Sequence, residues 1–261
     1  MTSRSRTPTR PRIVMHARAV IVRASSTSST VRYFAYGSNM NPKTFEGVRA
    51  MRPLSSVPVV LRGYELAFNV PGLPLVEPSF ASVRVAREGA NGRFSNECHG
   101  VAHLISLDEW QRLVRSEGSY DVVDVDCEAY DGSKVACKTL THRDLKNFGE
   151  RAPSKRYANL LREGARHHKL NEAWVEYLDA IETFEPVELN LAQQAALMMS
   201  VGPTLLAAAP VAAMAAGKQV ANGDGRQAII DAFVETQDVV WGVQNAFFAS
   251  WSGDGKRRVA K

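Results

Sequence analysis

The order in which strand and helix patterns occur constrains this chain most. Segments with strand-like patterning come first, and the longer helices follow. Residues 31–36 (Val-Arg-Tyr-Phe-Ala-Tyr), 57–61, 64–70, 80–86, 99–105, 122–130 and 135–141 read as strands, being β-branched, aromatic or alternating in polarity. Asp131-Gly132 between the last two is a hairpin signal. A short helix is predicted over 42–51, with Asn41 as N-cap and Pro42 in its first position. A second is predicted over 106–117, where Ser106 and Glu109 have capping-box spacing. Residues 154–184 read as helical, broken near Gly164 and His167-His168. Strands then helices, without strict βαβ alternation, argue for a mixed sheet or barrel of the α+β kind.

The chain can build a real core, since 45% of its 261 residues are hydrophobic and 23% are charged. Its length fits one domain with an appendage, or two small domains. Three cysteines exclude a disulfide-built scaffold, and Cys98, Cys127 and Cys137 lack the C-x-x-C spacing of a zinc site. The formal charge of +5 is concentrated at one end: residues 1–45 hold seven Arg and one Lys and no acid. Arg4, Arg6, Arg10, Arg12, Arg18 and Arg23 are interspersed with Ser and Thr, the composition of an organelle transit peptide. Residues 1–30 are therefore expected to be a leader, with the plastid as destination and the mitochondrion as the alternative. A nucleic-acid-binding arm would call for Lys clusters and interleaved aromatics, which this segment lacks, so nucleic acid is not an expected partner.

Residues 185–261 form a separate helical extension in this reading. Residues 195–217 carry no charge, and their length alone would permit a membrane span. Nine of the 23 are Ala, and Pro203 and Pro210 interrupt the run, so a packed helical pair is favoured over membrane association. Asn222-Gly223-Asp224-Gly225 reads as a linker. Residues 226–251 are predicted to form an amphipathic helix with Ile229, Ile230, Phe233, Val234, Val240, Trp241, Phe247 and Phe248 on its apolar face. That face is expected to dock on the main domain. Pro71, Pro74 and Pro78 with Gly72 are read as a loop, a plain surface one in preference to one that sets specificity.

The chain has no Walker loop, G-x-G-x-x-G, H-E-x-x-H or G-x-S-x-G. His99, His103 and His142 are scattered and read as core or surface histidines, and His167-His168 as basic surface. Two segments stand out. Tyr33-Phe34-Ala35-Tyr36-Gly37-Ser38-Asn39-Met40 is a strand ending in a turn that can expose consecutive N–H groups to an anion. Ser116-Glu117-Gly118-Ser119-Tyr120 follows the capped helix, where a Glu can project into a cavity.

Together and in this order, these segments resemble the signature of the γ-glutamylcyclotransferase family. Leu61 to Phe68, Gly100-Val101-Ala102, Leu107-Asp108-Glu109 and Pro153-Ser154-Lys155-Arg156-Tyr157 match further blocks in register, and the resemblance spans about 31–184. It implies a small mixed β-barrel with flanking helices over 31–184, with 185–261 unexplained. It implies Glu117 as catalytic residue, and Tyr36, Gly37, Ser38, Asn39, Met40, Tyr120 and Tyr157 around a small γ-glutamyl substrate. The family's reaction releases 5-oxoproline and a free amine. The substrate supplies its own nucleophile, so neither cofactor nor metal is expected. The α-amine is protonated near neutrality, at a reference pKa of ~7.7–8, while an ordinary Glu titrates near ~4.3. A Glu acting as base therefore faces a gap of roughly 5 kcal/mol, which burial would narrow. The alternative is a binding or membrane-anchoring protein that keeps the barrel and works through 185–261.

Overall fold

The computed structural model describes residues 29–73, 76–89, 91–117, 120–185, 188, 190–193, 195, 196, 199 and 225–248. All but the end of the expected leader, most of the uncharged run at 195–217, Pro74, Gly118, Ser119 and 222–224 lie outside these residues. Among the described residues, no helix is long and apolar enough to cross a membrane.

The strands are β1 (Thr30–Ala35), β2 (Ser55–Arg62), β3 (Tyr64–Leu73), β4 (Glu77–Val85), β5 (Glu97–Ser106), β6 (Asp121–Ala129) and β7 (Lys134–Thr141). The helices are α1 (Leu107–Ser116), α2 (Lys155–His167), α3 (Glu172–Asp179) and α4 (Gly225–Val243). Among the described residues, β1-β5-β2-β6-β7 close a barrel, and β3 and β4 form a separate two-stranded sheet. The barrel is mixed because β1 meets β7 in parallel, at Tyr33 and Lys138, while its other pairings are antiparallel. An α+β barrel with flanking helices and a helix beyond 185 is therefore the architecture. Gly63 makes the transfer between sheets: its φ of +77° lets the chain turn between β2 and β3. Phe34, Leu61, Ile105 and Leu113 are fully buried in the core, each worth roughly 1.5–3 kcal/mol of hydrophobic stabilisation.

Local chemistry sets the helix ends. Ser106 Oγ accepts the Glu109 N–H at 3.2 Å, and Glu109 Oε2 accepts the Ser106 N–H at 3.0 Å, completing the capping box of α1. Over 42–51 the structure has a single wide turn, Lys43–Val48, with the Asn41 side chain accepting the Lys43 N–H at 2.9 Å.

Several expectations are corrected. Gly164 does not break α2, which runs on to His167. A Cβ there would lie 2.8 Å from Asn41 N and from Met40 C, so the missing side chain serves close packing, and packing overrides glycine's low helix propensity. Pro71 and Gly72 lie within β3 and Pro78 within β4, so they are not a surface loop. The C-terminal helix starts at Gly225, and a wider turn over Gln244–Phe248 shifts the phase of its apolar stripe, leaving Phe247 71% exposed. Val234, Val240 and Trp241 are buried as expected. Trp241 packs edge-on to Phe148 with ring centroids 4.8 Å apart, and the Arg151 guanidinium sits 5.2 Å from each ring. Asp238 accepts the Asn147 N–H at 2.8 Å and its Nδ2 at 3.0 Å, fastening α4 to the segment after β7.

Candidate active site

A cavity of about 600 Å³ opens where β1 gives way to the Ser38–Met40 turn. Tyr36, Gly37, Ser38, Asn39, Glu117, Tyr120 and Tyr157 all line it. Met40 does not: it is 1% exposed, buried among core side chains at the Gly164 contact.

Glu117 sits where α1 ends, its backbone N–H still bonded to the Leu113 carbonyl at 3.1 Å. Its carbonyl accepts the Tyr120 N–H at 3.1 Å, which ties the two residues together. The carboxylate is 15% exposed and forms an ion pair with Arg49, which follows the Lys43–Val48 turn. Arg49 also donates to Ser116 Oγ at 3.0 Å. Asn39 Nδ2 stands 3.5 Å from Glu117 Oε1 and donates to the Tyr33 hydroxyl at 3.0 Å. Burial pushes the Glu117 pKa up; Arg49 and Asn39 pull it down, and burial prevails.

The tyrosines differ in what they can offer. The Tyr36 hydroxyl donates to the Leu140 carbonyl, and that of Tyr120 to the Ala81 carbonyl at 3.1 Å. Their protons are committed to the protein, so a ligand meets their rings and oxygen lone pairs. The Tyr157 oxygen accepts the Ala81 N–H at 3.1 Å, with the Ser38 N–H also against it. Its own proton is the part left to donate. The Ser38 N–H is thus turned to Tyr157, and the Met40 and Asn41 N–H groups are bonded to the Gly37 and Ser38 carbonyls at 3.0 Å each. The turn consumes more of its own donors than an open anion nest would. Burial raises all four cavity tyrosines, Tyr157 to about 12, so each stays a neutral phenol near neutrality.

Sequence reasoning missed Arg49, Tyr33 and Gln237 of the cavity wall. Tyr33 stood inside the octapeptide, but strand alternation sets it on the face opposite Tyr36 and so hides it. No spacing rule links Arg49 to Glu117. Three of the histidines, His99, His103 and His142, are buried: His103 bonds Ser56 Oγ at 2.8 Å and stacks on Phe45, and His99 bonds the Tyr130 hydroxyl at 2.8 Å and stacks on Trp174. Among the described residues, no group of three or more His, Cys, Asp or Glu is placed to hold a metal.

A closed mixed barrel with a buried carboxylate at the mouth of its first strand defines the class. The chain belongs to the γ-glutamyl cyclotransferase family. It is 32% identical over 145 residues to γ-glutamyl cyclotransferase verK of Clonostachys rogersoniana, covering 48% of this chain and 79% of that protein. It is 33% identical over 173 residues to γ-glutamyl cyclotransferase gliK of Aspergillus fumigatus, covering 59% of this chain and 63% of the relative. For aclK of Aspergillus oryzae the figures are 32% over 152 residues, 52% and 55%, so the chain spans only part of the length of these last two relatives. No protein-family model matches. Two solved structures share the fold: an uncharacterized human protein at TM-score 0.51 and 20% identity, and one titled γ-glutamyl cyclotransferase at 0.50 and 19%. They cover 64% of this chain each, and 97% and 96% of their own.

Proposed function

We propose that this chain is a γ-glutamyl cyclotransferase, converting a γ-glutamyl amide into 5-oxoproline and a free amine. The substrate's α-amino nitrogen attacks its own γ-carbonyl, forming the ring C–N bond, and the amide C–N bond breaks. Of the three ammonium protons, one stays on the lactam nitrogen and two end on the departing amine. Glu117 carries them in turn as base and then acid. The observation that carries this reading is the Glu117 carboxylate held inside the cavity with its pKa raised toward that of the amine. Asn39 supports it: its Oδ1 is buried without a partner among the described residues, an acceptor suited to an ammonium beside Glu117. Tyr157 is the donor for the substrate's carboxylate or the developing oxyanion. Folding the γ-glutamyl chain for ring closure is the entropic part, worth ~7–11 kcal/mol at best.

The names of the relatives point the same way. The test is 5-oxoproline release from a panel of γ-glutamyl dipeptides and γ-glutamyl-lysine. The expected result is turnover that falls at least ~100-fold in Glu117→Gln. No release from the folded protein across the panel refutes the reading. The arginine-rich residues 1–30 are proposed to direct the chain to a plastid, or alternatively a mitochondrion. Import of a tagged chain into isolated organelles, followed by sequencing of its new N-terminus, tests that.

A further inference from the structure

The helix that follows the barrel domain contributes to the cavity through one side chain. Gln237 of α4 is among its lining residues. Its Nε2 donates to the Pro71 carbonyl at 2.9 Å. Because a carbonyl can only accept, this bond fixes which end of the amide faces Pro71. The other end, Oε1, is buried and has no hydrogen-bond partner among the described residues. A buried acceptor left unpaired is costly, and an N–H donor on a ligand in the cavity would meet that cost.

The position is rigid. Asp238, the next residue, holds two bonds from Asn147, and Trp241 one turn on is locked between Phe148 and Arg151. Pro71 lies in β3 next to the strand whose Ala81 anchors Tyr120 and Tyr157. Gln237 therefore belongs to the wall made by β3, β4 and α4. Glu117, Arg49 and Asn39 belong to the wall made by α1 and the turns after β1. If the α-amine binds beside Glu117, the half of the substrate beyond the scissile amide extends toward Gln237. A cavity of about 600 Å³ lies within the range that buries drug-sized ligands, with room for more than a γ-glutamyl group.

We infer that Gln237 is a specificity-determining residue: its unpaired Oε1 accepts an N–H from the leaving half, selecting γ-glutamyl substrates with a further amide beyond the scissile bond. This rests on the cyclotransferase reading above. The test uses two substrates of the same shape and charge: γ-glutamyl-alanyl-glycine, and its depsipeptide analogue with an ester oxygen in place of the second peptide N–H. The full chain is expected to favour the amide at least ~tenfold in kcat/KM, since a site built to bond an N–H rejects the analogue lacking it. In Gln237→Met the preference is expected to fall within ~twofold of unity. The ratio is read within each protein, so a general loss of activity cancels. Wild-type turnover of both substrates at equal efficiency overturns the inference while leaving the reaction standing. A preference retained in Gln237→Met overturns it as well. Absence of 5-oxoproline release from any γ-glutamyl compound overturns the reaction, and this inference with it.

Discussion

Gly164→Ala is a decisive perturbation, because the added methyl favours the helix while crowding the turn that leads into the site. In a helix interior, alanine is favoured over glycine by ~1 kcal/mol, so a freely solvated α2 would be stabilised. Here the added methyl would sit 2.8 Å from Asn41 N, from Met40 C and from Met40 Cβ. Two of those atoms are backbone, so rotamer changes cannot relieve the contact; the turn must retreat to at least 3.4 Å. Overpacking of this kind costs ~1–3 kcal/mol. The net expectation is a stability change between about zero and −2 kcal/mol, read from urea midpoints. Asn41 is further tied to α2 through Nδ2 bonds to the Leu160 carbonyl at 3.3 Å and Glu163 Oε2 at 3.1 Å. The retreat therefore travels into the adjoining Gly37–Asn39 segment of the cavity wall. A misplacement of this order can lower turnover ~100-fold. The expected result is a folded protein of near-normal stability with 5-oxoproline release cut by one to two orders of magnitude. A Gly164→Ala protein about 1 kcal/mol more stable than wild type and fully active would refute the reasoning.

Three further expectations follow from the same structure. Burial raises the Glu117 pKa while Arg49 opposes it, so base activity is lost as pH falls through a value above 4.5; Arg49→Met should move that acid limb of kcat/KM to still higher pH. A limb unmoved or displaced downward contradicts this. Burial lowers His103 from 6.5 to about 3, so below pH 6.5 the unfolded chain binds a proton the folded one does not. Stability is then lost as pH falls, by about 2 kcal/mol between pH 7 and 5, and His103→Gln should remove that share of the slope in urea titrations. Trp241→Ala should cost ~3–5 kcal/mol and expose α4 to limited proteolysis within 225–248; an unchanged cleavage pattern would mean the helix is not held by this cluster.

Sequence patterning exposed the elements better than their partners. Ser106 and Glu109 announced α1 because a capping box is a local device, complete within four residues. The Asp131-Gly132 hairpin was legible for the same reason, and β6 and β7 pair through it. Periodicity could not show that β2 and β3, separated by one residue, enter different sheets, because that choice rests on the turn at Gly63 and the long-range pairing of β2 with β5. Gly164 misled as a helix breaker because the feature that retains it, the backbone of Met40 and Asn41, is supplied by a distant part of the chain.

The site divides along the same line. The Tyr36–Asn39 segment and Glu117 were found through short motifs, each of which carries its own turn geometry. Arg49 and Gln237 have no such motif, and Arg49 alters what Glu117 can do. Arg49 holds the Glu117 carboxylate in an ion pair that favours its charged form, while burial favours the neutral one. Burial alone would set the carboxyl further toward its neutral form. The ion pair alone would set it further toward its charged form. A carboxyl that must first accept a proton and then return it needs both influences. Only the fold, by bringing the residue after the Lys43–Val48 turn against the end of α1, supplies the second.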